Sequence, residues 1–250
     1  MRLTVIVPLY NREKYIESAL LSLLRQRAAC DLKILVVNDG STDDGPERVE
    51  KLARQYGEIR TVHTANQGVT KARNVGLQHL PEDADFVSFL DSDDLSPANR
   101  FADDLPVLEA DPALDFVYGK MRLFNDLDEK NAQPGADTWQ ATVRGISVSA
   151  AIFRVPFLRK IGEFDESLEQ SEDTDFLFRA FEGNARYRLT ETIAVYYRQH
   201  PGNMTRQTEI ARRSFVHAVH KSLVRRKRNP ALRPPSGVFD LQELMPDRVA

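Results

Sequence analysis

The chain has 250 residues, 42% hydrophobic and 28% charged, with a net charge of −3 at pH 7. Those proportions fit one large globular domain, or a domain with an appendage, and the balanced charge offers no global field for nucleic acid. A single cysteine, Cys30, excludes an internal disulfide framework and fits a reducing compartment.

Residues 3–8 form a short apolar, β-branched run that reads as a buried strand. This opening run is too short for a signal peptide or a membrane span, and Pro8 interrupts it. No other stretch approaches membrane length, so a soluble, cytoplasmic protein is expected. Residues 13–26 have helical spacing, with Ile16, Leu20, Leu23 and Leu24 on one side. Residues 32–37 read as a second buried strand. Asp43 or Asp44 can cap a helix over 46–56, with Pro46 tolerated in its first turn. A third strand over 59–63, a helix over 69–80 and a fourth strand over 86–90 follow. This alternation implies an α/β fold with a mostly parallel sheet, whose ligands bind beyond the carboxyl ends of the strands. Polar clusters fall at those ends: Tyr10-Asn11, Asn38-Asp39-Gly40-Ser41 and Asp91-Ser92-Asp93-Asp94.

The second half is less regular. Residues 97–109 read as a helix and 114–124 as a strand. Residues 125–139 are a polar connection containing Pro134 and Gly135, long enough for a mobile loop. A strand over 146–153 and a short helix over 155–161 come next. Ser171 is placed to cap a helix running to about residue 182, and 187–197 is extended. Residues 206–228 read as a basic terminal helix. Residues 229–250, with Pro230, Pro234 and Pro235, read as a loosely attached tail.

Three carboxylates within the four residues 91–94 repel one another unless something neutralises them. A hard divalent cation does so, and it can bridge the two phosphates of a nucleotide diphosphate. The competing reading is a solvated acidic turn in which Asp94 caps the next helix. The preceding buried strand favours a site, because it aims the carboxylates into the crevice. Gly40 permits a tight turn after the second strand. There Asp39 can accept a hydrogen bond from a nucleobase N–H, and Tyr10 can stack on the base. An ordinary turn would use the same residues.

Several motifs in order resemble the family 2 glycosyltransferases. They are Val5-Ile6-Val7-Pro8-Leu9-Tyr10-Asn11, Val36-Val37-Asn38-Asp39-Gly40-Ser41-Thr42-Asp43, Asn66-Gln67-Gly68 with Ala72-Arg73-Asn74-Val75-Gly76, and Asp91-Ser92-Asp93-Asp94. In the second half they are Ile161-Gly162-Glu163-Phe164-Asp165-Glu166, Ser171-Glu172-Asp173 and Tyr197-Arg198-Gln199-His200. The resemblance implies the A-type glycosyltransferase fold: a mostly parallel mixed sheet flanked by helices, here with a C-terminal helix and tail. It implies a catalytic domain over 1–205, with a nucleotide-binding half (1–95) and an acceptor half (96–205), then 206–250 as an appendage.

The same resemblance implies that Asp39 binds the base and that Pro8 and Tyr10 line its pocket. Arg73 would lie near the donor, and Asp91 and Ser92 would meet the sugar nucleotide. Asp93 leads the metal ligands, with Asp91 and His200 beside it and Asp94 close enough to exchange roles with Asp91. The cation would be Mn²⁺ or Mg²⁺, both of which accept oxygen ligands. Arg198 could contact phosphate. An inverting transfer needs one carboxylate to take the acceptor proton. The resemblance assigns it to Asp173, with Glu172 as runner-up. The residues alone leave that choice open, since acidic groups in a first helical turn also suit the helix dipole.

The implied function is inverting transfer from a nucleotide diphosphate sugar, UDP favoured, to a sugar or glycolipid acceptor in polysaccharide, lipid-linked oligosaccharide or other glycoconjugate synthesis. The alternative is a non-catalytic sugar-nucleotide or carbohydrate-binding protein on the same fold. A nucleotidyltransferase or a dinucleotide oxidoreductase would need a glycine-rich turn after the first strand, where this chain has Leu9-Tyr10-Asn11-Arg12-Glu13. The basic terminal helix carries Arg212, Arg213, Lys221, Arg225, Arg226, Lys227 and Arg228, and an apolar side of Phe215, Val216, Val219, Leu223 and Val224. It reads as packed on the domain with a solvated basic face. The sharper reading is peripheral contact with anionic lipid at the inner face of the membrane.

Overall fold

The computed structural model describes residues 1–128, 133–135 and 138–239. The first half alternates as β1 (Arg2–Leu9), α1 (Ile16–Leu24), β2 (Asp31–Asp39), α2 (Gly45–Ala53), β3 (Ile59–Thr64), α3 (Val69–Gln78) and β4 (Phe86–Phe89). Next come α4 (Arg100–Ala110), β5 (Phe116–Phe124), the short strands β6 (Leu127–Asp128) and β7 (Gln133–Pro134), and β8 (Gln140–Val143). The rest is β9 (Ala151–Arg154), α5 (Val155–Ile161), α6 (Glu172–Glu182), β10 (Tyr187–Arg198) and α7 (Thr208–Arg228).

Eight strands form one sheet in the order β10-β5-β9-β4-β1-β2-β3, with β8 also paired to β5. β1 pairs in parallel with both β2 and β4, β2 with β3, and β5 with β10. β9 runs antiparallel to β4 and β5, and β8 antiparallel to β5. The sheet is therefore mostly parallel and mixed. Both faces are covered, which is why β1 is a near-continuous apolar run, with Leu3, Val5, Ile6 and Val7 fully buried. One face packs Leu20, Leu23, Val49, Phe101 and Leu105. The other packs Ala72, Phe157, Phe176, Leu177 and Phe181, each Phe worth roughly 2–3 kcal/mol of burial.

β1 pairs with β4 only from Leu3 to Ile6, but with β2 along its whole length to Leu9. Beyond Ile6, whose carbonyl accepts from Leu90 N at 3.1 Å, β1 and β4 part. Pro8 lies two residues on and faces the same side as Ile6. Its missing N–H therefore leaves no orphan donor in a central strand. β2 lies on one side of β1 and β4 on the other, so the parting opens a crevice at the switch point of the sheet.

The second half departs from the sequence reading in four places. Residues 146–153 are not one strand: a 3₁₀ turn over Val148–Ala150 precedes β9, and an apolar buried run does not distinguish the two. The polar connection over 125–139 contains the short strands β6 and β7, with β8 directly after it, and its described part is held by Gly135 N on Asp126 O at 3.0 Å and by Asp126 N on Thr138 Oγ1 at 3.1 Å. Ser171 precedes α6 but has φ 60° and makes no side-chain cap; its left-handed backbone is not the extended conformation from which a capping side chain reaches the first turn. The tail is not loose where it is described: Val238 is buried, and Phe239 packs edge-on to Phe181 at 5.5 Å between ring centres. Residues 240–250 of that predicted tail lie outside the described residues.

α7 lies against α6 through ion pairs. Arg225 NH1 is 2.5 Å from Asp175 Oδ1, and its Nε is 3.2 Å from Glu182 Oε2. Arg226 reaches Glu182 at 3.6 Å, and Lys221 pairs with Asp165. The face of α7 turned inward carries the small residues Ser214, Ala218 and Ser222 rather than the apolar side expected from sequence. Val216 and Leu223 are exposed.

Candidate active site

The carboxyl ends of β1, β2, β4 and β10 converge on one edge of the sheet, and each supplies a loop. At the end of β2, Asp39 is buried. Its carboxylate accepts from Gln67 N at 3.0 Å, Gly68 N at 2.7 Å and Thr64 Oγ1 at 3.2 Å. The backbone donors precede the start of α3, so this motif is held by the next one. A carboxylate offers about four acceptor positions, so one remains for an incoming donor. Gly40 follows with φ 69°, and a Cβ there would lie 2.8 Å from Asn66 N. Tyr10, at the end of β1, is 44% exposed, so its ring is open at the crevice. Pro8, two residues earlier on β1, is buried.

The acidic loop after β4 separates its three carboxylates by partner. Asp91 Oδ1 accepts from Arg73 NH2 at 2.7 Å. Asp93 Oδ2 accepts from Arg12 Nε at 2.9 Å and from His200 Nε2 at 3.1 Å. Burial opposes ionisation of Asp93, but His200 and Arg12 outweigh it and hold the carboxyl below its usual range. Asp94 is 1% exposed, and its Oδ1 accepts from Arg198 N at 2.9 Å. Burial, then the charges of Asp93 and Asp91, push it well above the usual range. Asp94 thus secures the end of β10 from behind the loop and does not cap α4. Ser92 is buried between the two outer aspartates.

His200 Nδ1 accepts from Gly202 N at 3.1 Å, which leaves the ring proton on Nε2 and makes the ring a donor to Asp93. The ring also stacks on Tyr15 at 4.7 Å between centres. Arg198 donates through Nε to Asp93 O at 3.0 Å and lies 4.9 Å over the Tyr15 ring. Arg12, not singled out in the sequence, links three loops: beyond Asp93 it donates through NH2 to Gly202 O at 3.3 Å. Its only sequence signal was a basic residue just past the end of β1.

Arg73 is buried on α3, and its guanidinium takes Asp91 on one side and Glu172 on the other. Burial would lower its pKa, but the charges of Asp91, Glu172 and Asp173 outweigh this and raise it. One turn of chemistry therefore joins the acidic loop to the start of α6. Asp173 has no salt-bridge partner among the described residues. Burial, then the charge of Glu172, push its carboxyl up to about 7 against the pull of Arg73. Asn74, fully buried beside Arg73, accepts from Phe164 N at 2.8 Å and donates to Phe164 O at 3.0 Å. That pins the 162–166 motif to α3, and Phe164 stacks on Phe176 of α6 at 4.2 Å.

A divalent cation fits this arrangement. Asp91 and Asp93 each keep a second oxygen without a protein partner among the described residues. No group of three His, Cys, Asp or Glu side chains that could hold a metal occurs among the described residues. Mg²⁺ and similar hard ions are commonly held by one or two carboxylates plus substrate phosphates and water, so a sparse protein contribution is what this chemistry uses.

Residues 4–162 match the model of glycosyl transferase family 2, and the chain belongs to that family. It is 28% identical over 230 residues to EpsJ of Bacillus subtilis (strain 168), an uncharacterised glycosyltransferase, covering 81% of this chain and 62% of the relative. Among solved structures, residues 1–349 of S. aureus TarS in complex with UDP-GlcNAc superpose with TM-score 0.71 at 25% identity, covering 90% of this chain and 66% of that one. A mannosyltransferase from Pyrobaculum calidifontis, solved with GDP-Man and Mn²⁺, shares the fold at TM-score 0.66 and 21% identity, covering 89% of this chain and 64% of that one. The chain thus spans about two thirds or less of these proteins.

Proposed function

We propose that this protein transfers a sugar from a nucleotide diphosphate sugar to an acceptor hydroxyl with inversion at the anomeric carbon. The observation that carries the reading is Arg73 spanning Asp91 and Glu172, which sets Asp173 beside the acidic loop as the carboxylate without a cation partner. Glu172, committed to Arg73, is the poorer base. A carboxyl near pH 7 is matched to accepting a proton in neutral solution.

In this reading Asp39 accepts from the base, Tyr10 stacks on it, and Pro8 keeps the floor of the pocket apolar. UDP is favoured because TarS holds UDP-GlcNAc. Asp93 and Asp91 would hold Mn²⁺ or Mg²⁺ against the diphosphate. The cation's contribution, when bound, is to neutralise charge on the departing group. His200 and Arg12 orient Asp93. Ser92 and Arg73 flank the donor. Asp173 takes the acceptor proton as the acceptor oxygen bonds to the anomeric carbon and the bond to diphosphate breaks.

The protein acts in polysaccharide or glycoconjugate synthesis, in the cytoplasm, where a single free cysteine persists reduced. No helix among the described residues is long and apolar enough to cross a membrane. Membrane contact through α7 would fall to exposed Arg212, Arg213, Lys227 and Arg228, since Arg225, Arg226 and Lys221 are engaged with the body of the protein.

The test is a thermal-shift series with UDP, GDP and TDP, with and without Mn²⁺. UDP with Mn²⁺ stabilises the wild type, and Asp93→Ala much less, because only ligand bound to the native state adds stability. Equal stabilisation of both proteins removes the cation assignment.

A further inference from the structure

The strands farthest from the nucleotide end gather cations on the sheet face against which α6, the helix of Asp173, packs. Directly opposed residues of an antiparallel pair share a face. Arg122 opposes Thr142, and Arg144 continues that face two residues on. Lys120 precedes Arg122 by two residues on β5. Tyr118, two earlier again, donates through its hydroxyl to Gly145 O at 2.6 Å, beside Arg144, and packs edge-on to Phe181 of α6 at 5.4 Å between ring centres. The row therefore runs from the packing surface of α6, the helix that opens with Glu172 and Asp173, towards the rim. Leu95 N donates to Tyr196 O at 3.1 Å, which brings the far end of the row to the acidic loop.

Lys120 Nζ at 2.5 Å and Arg144 NH2 at 3.1 Å share one carboxylate, Glu191, whose side chain is 79% exposed. Arg122 has no carboxylate partner among the described residues. Its Nε donates to Thr142 Oγ1 at 3.1 Å, and its guanidinium lies 6.0 Å over the Tyr196 ring. These two contacts orient the fork and leave its terminal nitrogens without a partner among the described residues. A guanidinium held this way is ready for a two-point contact with a carboxylate or phosphate. β5 is three strands from β1, about 14 Å at roughly 4.8 Å per strand, well away from the base-binding end.

We propose that this row is the acceptor subsite and that the acceptor is an acidic sugar polymer. Its oxyanion is held by Arg122 with Lys120 and Arg144 alongside, and its neighbouring hydroxyl is presented to Asp173. The proposal rests on the sugar-transfer reading above.

Equilibrium dialysis of the full chain with UDP and Mn²⁺ tests it, using galacturonate oligomers against glucose oligomers of equal length. The expected result is at least tenfold tighter binding of galacturonate, an advantage that shrinks with added salt. Arg122→Glu abolishes the advantage, Arg122→Lys keeps part of it, and both variants bind UDP as the wild type does, which also shows them folded. Equal affinity for the two oligomers overturns the proposal, as does an advantage that survives Arg122→Glu. If Arg122→Glu weakens UDP and galacturonate alike, the row serves the donor diphosphate and the acceptor assignment falls. Inorganic phosphate that displaces galacturonate at equal charge concentration shows a free-anion site and overturns the polymer. Wild type that fails to bind UDP sinks the underlying reading instead, so the two failures are distinguishable.

Discussion

Arg73 NH2 lies 2.7 Å from Asp91 Oδ1, with the guanidinium shielded from solvent and its other side against Glu172. One cation thus neutralises carboxylates from two distant stretches of chain. Removing it leaves both without compensation. Arg73→Ala should lower unfolding free energy by about 3–5 kcal/mol, read by urea melts. Arg73→Lys, a point charge that cannot span both partners, should recover only part. A loss below about 1 kcal/mol would mean that water already screens the pair.

Asp173→Asn should abolish sugar transfer while leaving UDP binding intact. In the wild type, transfer should rise with pH and level off above about 7, because the base works only when deprotonated. The stability effect runs the other way. A carboxyl raised in the folded state contributes stability that is full below its ordinary value of 3.8 and is lost progressively as pH rises from there to about 7. The Asn variant should therefore equal or exceed the wild type in melting temperature at pH 8. A flat pH–rate profile through neutrality would rule Asp173 out as the base.

His200→Ala should weaken cation-dependent stabilisation by UDP, but less than Asp93→Ala does. A group that orients a ligand carboxylate is commonly worth ten- to a hundredfold in metal affinity. Titrating Mn²⁺ at fixed UDP in the two variants separates the roles. Equal losses would make His200 a direct ligand, which would require its proton to move to Nδ1 against the Gly202 N–H.

Gly40→Ala should cost on the order of 2 kcal/mol or more. The backbone is left-handed there, and the added carbon would meet Asn66 N at 2.8 Å. The same shift loosens Gln67 and Gly68 from Asp39, so UDP affinity should drop with stability. Differential scanning calorimetry with and without UDP reads both; an undiminished UDP-induced shift would separate the turn from the base pocket.

The first-half strands were legible because buried parallel strands are uninterrupted apolar runs. The residues at their carboxyl ends were legible because the topology decides where ligands go. Arg12 was not, since its partners Asp93 and Gly202 lie 81 and 190 residues away and nothing local marks it. β8 is four residues long with one buried position, too short for an alternating pattern to register. Adjacent acids on one helix turn did not separate Glu172 from Asp173; the contact that makes their surroundings differ comes from Arg73, 99 residues upstream.

Pro8 carries a consequence for how the cleft behaves before any substrate arrives. Two neighbouring strands that have begun to pair tend to go on pairing, like a closing zip. Here a tooth is missing at the first place where β4 could continue along β1. The gap stays open because the chain lacks the means to shut it, so substrate enters a space whose width was set when the protein folded.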